Sequence, residues 1–183
     1  GVLPRLLDTI AEMIDAESVQ LDQRGRIAAD LATWRRIAGG KTAALFRWGL
    51  ESGGRSGGLG RAECRALGEY GRHIGLAFQA VDDLLDLVGD AEKTGKALAT
   101  DLREGKVTYP IAIALEADPS LGRALEALLE APGEGGVPAE VLRAVERTGA
   151  IDATRTFAAG EVDRAVGALA ALPPGPAVAA LET

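Results

Sequence analysis

The stretch Gly75-Leu76-Ala77-Phe78-Gln79-Ala80-Val81-Asp82-Asp83-Leu84-Leu85-Asp86-Leu87-Val88 decides how the rest of the chain is read. Its apolar residues recur at helical spacing, and three aspartates interrupt them. At about 100° per residue, Asp82, Asp83 and Asp86 fall on one narrow helix face, joined one turn earlier by Gln79. A solvated face is the ordinary fate of three such carboxylates. Here the flanks are Leu76, Phe78, Val81, Leu84, Leu85, Leu87 and Val88. The carboxylates would lose hydration and repel one another unless something positive lay between them. A hard cation such as Mg²⁺ takes oxygen ligands, keeps several waters and bridges carboxylates to substrate phosphates. The box therefore predicts a Mg²⁺–diphosphate site.

Downstream lies a polar segment, 89–108, containing Thr94-Gly95-Lys96 and Asp101-Leu102-Arg103-Glu104-Gly105-Lys106. A metal-held diphosphate keeps uncompensated oxygens, which Lys96 and Lys106 would meet as point charges. A Gly-Lys pair alone is a common surface turn, and it gains meaning only from the nearby acidic box. Upstream, Gly39-Gly40-Lys41-Thr42 suggests a nucleotide phosphate loop, but Arg35 stands where that motif needs its first glycine. The preceding Leu31, Trp34 and Ile37 have helical spacing, where the motif needs a strand. What remains is a lysine and a threonine beside large apolar side chains. They form one more diphosphate contact or, more plainly, a snorkelling lysine. Gln20 shares a helix side with Met13, Ala16 and Glu17, as a site residue or as a well-bonded core amide. His73, the single histidine, is nine residues before Asp82 and half a turn away from the carboxylates, which predicts a structural role.

Working further outward, the periodicity predicts helices and no strand. They cover about 4–20, 28–51, 61–88, one opened by Pro110, then 119–130, 138–149 and 151–171. Ser52 to Gly60 is glycine-rich and predicts a flexible turn, and Pro132-Gly133 and Pro173-Pro174-Gly175 predict breaks. Short connections favour an antiparallel all-α bundle. With 183 residues, the chain is long enough for one domain with a real core. The net charge of −7 and the absence of a basic cluster argue against nucleic acid as a partner. One cysteine, Cys64, excludes an intrachain disulfide. No long apolar run or signal peptide is visible, so a soluble, cytoplasmic protein is expected.

Taken in order, these residues resemble the trans-isoprenyl diphosphate synthases, the head-to-tail polyprenyl synthetases. The resemblance rests on Ala16-Glu17-Ser18-Val19-Gln20-Leu21, Lys41-Thr42-Ala43-Ala44-Leu45, the block Gly75 to Asp86, Gly95-Lys96, and Asp101 to Pro110. The central block looks like the family's second aspartate-rich motif. The resemblance implies an all-α isoprenoid synthase bundle around a deep cavity. There, Mg²⁺ holds an allylic diphosphate, and isopentenyl diphosphate attacks the carbocation left by ionisation. By the same analogy Asp82 binds metal directly, while Asp83 and Asp86 act nearby or through water. Lys41, Lys96 and Lys106 neutralise the departing diphosphate, and Thr42 and Gln79 donate hydrogen bonds. Phe78 and Gln20 complete the implied substrate contacts. The family's first aspartate-rich motif normally lies upstream of the segment resembling Val2 to Gln20. The chain is thus expected to be a C-terminal part lacking the N-terminal helices, inactive alone, and working as a homodimer or as a heteromer with an N-terminal half or a second subunit. A non-catalytic partner subunit and a class I terpene cyclase are the competing readings.

Overall fold

The computed structural model describes residues 2–27, 30–89, 100–130 and 138–183, and among these every regular element is helical. Helix α1 spans Val2–Gln23. Helix α2, Leu31–Ala38, runs into a π-helical turn, Gly39–Ala43, and then into α3, Ala44–Ser56. The central helix α4 covers Arg61–Val88. After it come α5 (Thr100–Arg103), α6 (Tyr109–Ala117), α7 (Leu121–Glu130), α8 (Ala139–Arg147), α9 (Ala150–Leu169) and α10 (Pro176–Leu181). None of the described helices is long and apolar enough to cross a membrane.

Helix α4 is the axis of the molecule: α3 packs along one side of it and α9 along another. The α3–α4 seam is built on glycines of α4. A Cβ at Gly71 would lie 2.7 Å from the Phe46 carbonyl oxygen, and one at Gly75 would lie 2.5 Å from Ala43 Cα. The two helices therefore approach backbone to backbone, antiparallel. On the other side, Ala158, Ala165 and Leu169 of α9 are buried, and His73 of α4 meets the buried Glu161 of α9 at 2.6 Å. The predicted structural role of His73 holds.

Three apolar clusters fill the bundle. Leu87 and Leu102 pack with Ile111, Leu125, Val141 and Val145 of α6–α8. Trp34, Leu76, Ala80 and Tyr109 form a second cluster, and Leu67, Tyr70, Ala165 and Leu169 a third. Trp34, Tyr109 and Phe157 stack mutually, with ring centroids 4.5 to 5.7 Å apart.

Two predicted boundaries are corrected. The helix predicted over 28–51 is not uniform, because a π turn interrupts it at Gly39–Ala43. The predicted flexible turn at Ser52 to Gly60 is shorter, because α3 continues to Ser56. Gly54 is there for contact, since a Cβ would meet Leu67 Cδ1 at 2.8 Å. A glycine cluster thus marks a close helix crossing as well as a turn. The short α10 after Pro173-Pro174-Gly175 was not predicted, and the Pro132-Gly133 break lies outside the described residues.

Candidate active site

A cavity of about 240 Å³ opens where the end of α1, the α2–π-turn junction, α4 and the segment 101–108 meet. Its walls include Gln20, Lys41, Thr42, Gln79, Asp82, Asp83 and Lys106, seven positions singled out by the sequence. Asp82 is half-buried and takes no hydrogen bond from the described residues, so its carboxylate is available to whatever enters.

The π turn explains how Lys41 and Thr42 come to face this cavity. Widening the helix by one residue per turn changes which side chains point inward. Small residues on both sides hold the turn in place: a Cβ at Gly40 would stand 2.7 Å from Ala16 Cβ of α1, while Ala43 fits against Gly75 of α4. Gly40 is thus a packing device, whereas Gly39 has open space around it. Lys41 Nζ donates to Gln20 Oε1 at 2.7 Å and lies 2.6 Å from a Glu17 carboxylate oxygen. Gln20 thus lines the cavity, bonded to Lys41.

Asp83 occupies a different environment from Asp82. It is 3% exposed. Its Oδ2 accepts from Trp34 Nε1 at 2.7 Å and from the Tyr109 backbone N–H at 2.9 Å, and its Oδ1 accepts from Gln79 Nε2 at 2.9 Å. Burial pushes its carboxyl up to about 6, against these hydrogen bonds, which lower it. Thr42 Oγ1 donates to Gln79 Oε1 at 2.8 Å, so Thr42, Gln79 and Asp83 form one chain of hydrogen bonds. Asp86 accepts the backbone N–H groups of Thr100 and Asp101 at 3.1 and 3.2 Å. Burial, then the nearby Asp101 charge, raise its pKa.

On the opposite wall, Lys106 Nζ donates to Asp101 Oδ1 and lies beside Glu104, each at 2.7 Å. Burial alone would lower its pKa, but the Asp101 and Glu104 contacts outweigh burial and raise it. The backbone before it is fixed by a glycine pair. Gly25 and Gly105 both have positive φ, and the Gly25 N–H donates to the Gly105 carbonyl at 2.9 Å. A Cβ at Gly105 would reach Gly25 N at 2.7 Å. Arg24 Nε adds a bond to the Glu104 carbonyl at 2.6 Å.

A polyprenyl synthetase family model matches residues 2–145. The chain belongs to the polyprenyl synthetase family. It is 32% identical over 176 residues to the octaprenyl diphosphate synthase of Escherichia coli (strain K12), covering 96% of this chain and 54% of that enzyme. Among solved structures, it is similar to a decaprenyl diphosphate synthase from Rhodobacter capsulatus, with a TM-score of 0.88 and 34% identity, over 99% of this chain and 56% of that one. It is also similar to a polyprenyl synthase from Caulobacter crescentus CB15, solved complexed with calcium and isoprenyl diphosphate, with a TM-score of 0.87 and 34% identity over 99% and 56% of the two chains. The chain spans about half the length of the curated relatives it matches. Its all-helical architecture is that of the helical synthases it resembles.

Within this polyprenyl synthetase chain, the predicted trio of metal carboxylates divides. Asp83 gives both oxygens to Trp34, Gln79 and Tyr109, so the carboxylate expected to serve a metal is held at the cavity wall by the protein's own donors. Asp86 caps the start of α5, and it does not line the cavity. No group of three His, Cys, Asp or Glu side chains converges as an ion site among the described residues. The cavity carboxylates Asp82, Asp83 and Asp101 are hard oxygen donors, which suits a cation that completes its shell with phosphate oxygens and water. Phe78, the predicted substrate contact, is 55% exposed, lies outside this cavity and pairs with Phe46 at 5.8 Å. Gln79 and Thr42 direct their donors to Asp83 and to each other, where the resemblance implied donation to substrate. Lys96 lies outside the described residues. Asp101 and Trp34 are the site residues the prediction left out. A buried tryptophan N–H needs an acceptor, and a buried aspartate needs donors, which is the signal that could have paired Trp34 with Asp83.

Proposed function

We propose that this chain supplies the diphosphate-binding side of a prenyltransferase that joins an allylic diphosphate to isopentenyl diphosphate, completed by a segment equivalent to the rest of its relatives. The single observation that carries this reading is the cavity in which Asp82 faces Lys41 and Lys106. In the reaction the allylic C–O bond breaks, diphosphate leaves with the electron pair, the alkene of isopentenyl diphosphate attacks the carbocation, and a proton is lost.

Mg²⁺, held by Asp82 with Asp101 or Asp86 close by, would supply charge neutralisation to the diphosphate when bound. Lys41 and Lys106 would bind the phosphate oxygens directly. Both are paired with partly exposed carboxylates, and such pairs are worth about 0–1 kcal/mol, so redirecting them to a diphosphate costs little. Positive groups aimed where charge develops favour the departing diphosphate. The bonded chain Thr42–Gln79–Asp83 would hold α4 and the π turn in register, keeping Asp82 and Lys41 at fixed separation. Trp34 and Ile37 exclude water from the floor.

The test is a product assay with purified chain, with and without the complementary N-terminal segment of a relative, using dimethylallyl and isopentenyl diphosphates. Product is expected only in the presence of both parts. Product formed equally well when Asp82 and Lys106 are replaced by alanine would remove this cavity from the chemistry.

A further inference from the structure

We propose that a cleft at the other end of the bundle, between the start of α1, the end of α3 and the start of α4, binds a phosphate-bearing anion. The cleft encloses about 550 Å³ and is bordered by Arg5, Arg55, Arg61 and Arg65, with Glu51 as its lining carboxylate. Arg5 is paired with Glu51. The side chains of Arg55, Arg61 and Arg65 make no hydrogen bond or ion pair with the described residues. Glu63, the other carboxylate of this region, is turned back onto the Gly60 backbone N–H at 2.5 Å. Four guanidinium groups against one carboxylate is a local inversion in a chain of net charge −7.

Arg61 and Arg65 alone would be ordinary surface charges. Arg55 decides the matter, because its Nε is fully buried and has no acceptor. A buried donor without a partner is unfavourable, and a guanidinium group cannot lose its charge by titration. An anion with several oxygens satisfies both conditions, and the planar fork of arginine matches phosphate geometry. The positive end of the α4 dipole adds to the same field.

A second feature narrows the ligand class. An apolar cavity of about 430 Å³, lined by Leu50, Leu67, Leu172, Val178 and Leu181, adjoins the cleft and shares Leu59 with it. A phosphate carried on an apolar chain would find a place for both parts, whereas inorganic phosphate would use the arginines alone. Arg61 and Asp82 are twenty-one residues apart on one straight helix, about 30 Å, so a diphosphate at the acidic box does not reach here.

The test follows the arginine Nε–H signals of ¹⁵N-labelled chain, which report on this cleft because no arginine lines the cavity at the acidic box. Inorganic phosphate is titrated in one arm. Vesicles of phosphatidylglycerol or of phosphatidylcholine are co-sedimented with the chain in another. A saturable shift of the Arg55 signal, weakened about tenfold in Arg61→Gln/Arg65→Gln, identifies free phosphate as ligand. Retention by phosphatidylglycerol vesicles alone, lost in the same double variant, identifies the headgroup of an amphiphile. Both substituted side chains are exposed, and thermal melting verifies that the variant stays folded. An Arg55 signal unmoved by phosphate, with no arginine-dependent vesicle binding, overturns the proposal, as does equal binding by the double variant.

Discussion

Burial holds the Asp83 carboxyl near 6, against 3.8 for the ordinary side chain, and this offset sets a pH dependence of stability. Between about pH 4 and pH 6 the folded chain binds the proton that the unfolded chain has lost. The contribution is therefore complete below about pH 4 and disappears as pH rises through about 6. A shift of this size corresponds to at most roughly 3 kcal/mol. Asp83→Asn keeps an acceptor for Trp34 and Tyr109 and removes the titration, with Gln79 turning its amide to suit. Urea midpoints of the two proteins should diverge between pH 4 and pH 7, with the wild type losing ground, and parallel curves would refute the assignment. Asp82 is tested through turnover. In a completed enzyme, Asp82→Ala should lower kcat by about 100-fold or more, with a smaller change in KM and an unchanged melting curve. Turnover near that of the wild type at saturating Mg²⁺ would show that this carboxylate is only a solvated surface group. The spacing of Asp82 and Asp83 puts both beside the cavity, yet adjacent residues differ by about 100°, and that angle leaves Asp82 half-buried while Asp83 is almost wholly enclosed. Periodicity locates the face, whereas the partners that consume Asp83 come from Trp34 and Tyr109, distant along the chain and invisible to spacing.

The elements carry a different lesson, because their glycines are not alike. Gly75 abuts the Ala43 backbone, and an added methyl would force α4 from the π turn. Gly75→Ala should cost about 2–4 kcal/mol in denaturant unfolding and disturb the Lys41 and Thr42 placement together. Gly53, in the interior of α3, has nothing within 4 Å of the place an added methyl would take. Gly53→Ala should instead stabilise by about 0.5–1 kcal/mol, through helix propensity. Equal destabilisation by both would show that the seam is not close-packed. Apolar periodicity locates α1, α4 and α9 well, because each is long enough for the helical repeat to show. The π turn is not legible, since Gly-Gly-Lys-Thr has the same composition whether it bends a helix or ends one. The helical run through Ser52 and Gly53 escapes a reading by composition because the preference of glycine for turns is overridden by the contact of Gly54 with Leu67.

At the scale of the whole molecule, apolar side chains remain exposed in stripes. Leu3, Leu7, Ile10, Ile14 and Leu21 of α1 are between 41% and 66% exposed, and Phe78, Val81, Leu85 and Val88 of α4 between 40% and 55%. Such contiguous surface is a site for association. The purified chain should self-associate or bind an apolar dye, and the complementary segment should suppress both. A monodisperse monomer in sedimentation that binds no dye would contradict this. The far end of α1 has a further consequence. Gln20 and Glu17 hold Lys41, while the turn that follows, through Arg24 and Gly25, holds the backbone that carries Lys106. Two cavity lysines are thus tied to the end of α1 and the turn that follows it. The end of α1 is therefore a shared footing: a partner leaning on its bare stripe would press on the supports of both lysines, joining assembly to the grip on the anion.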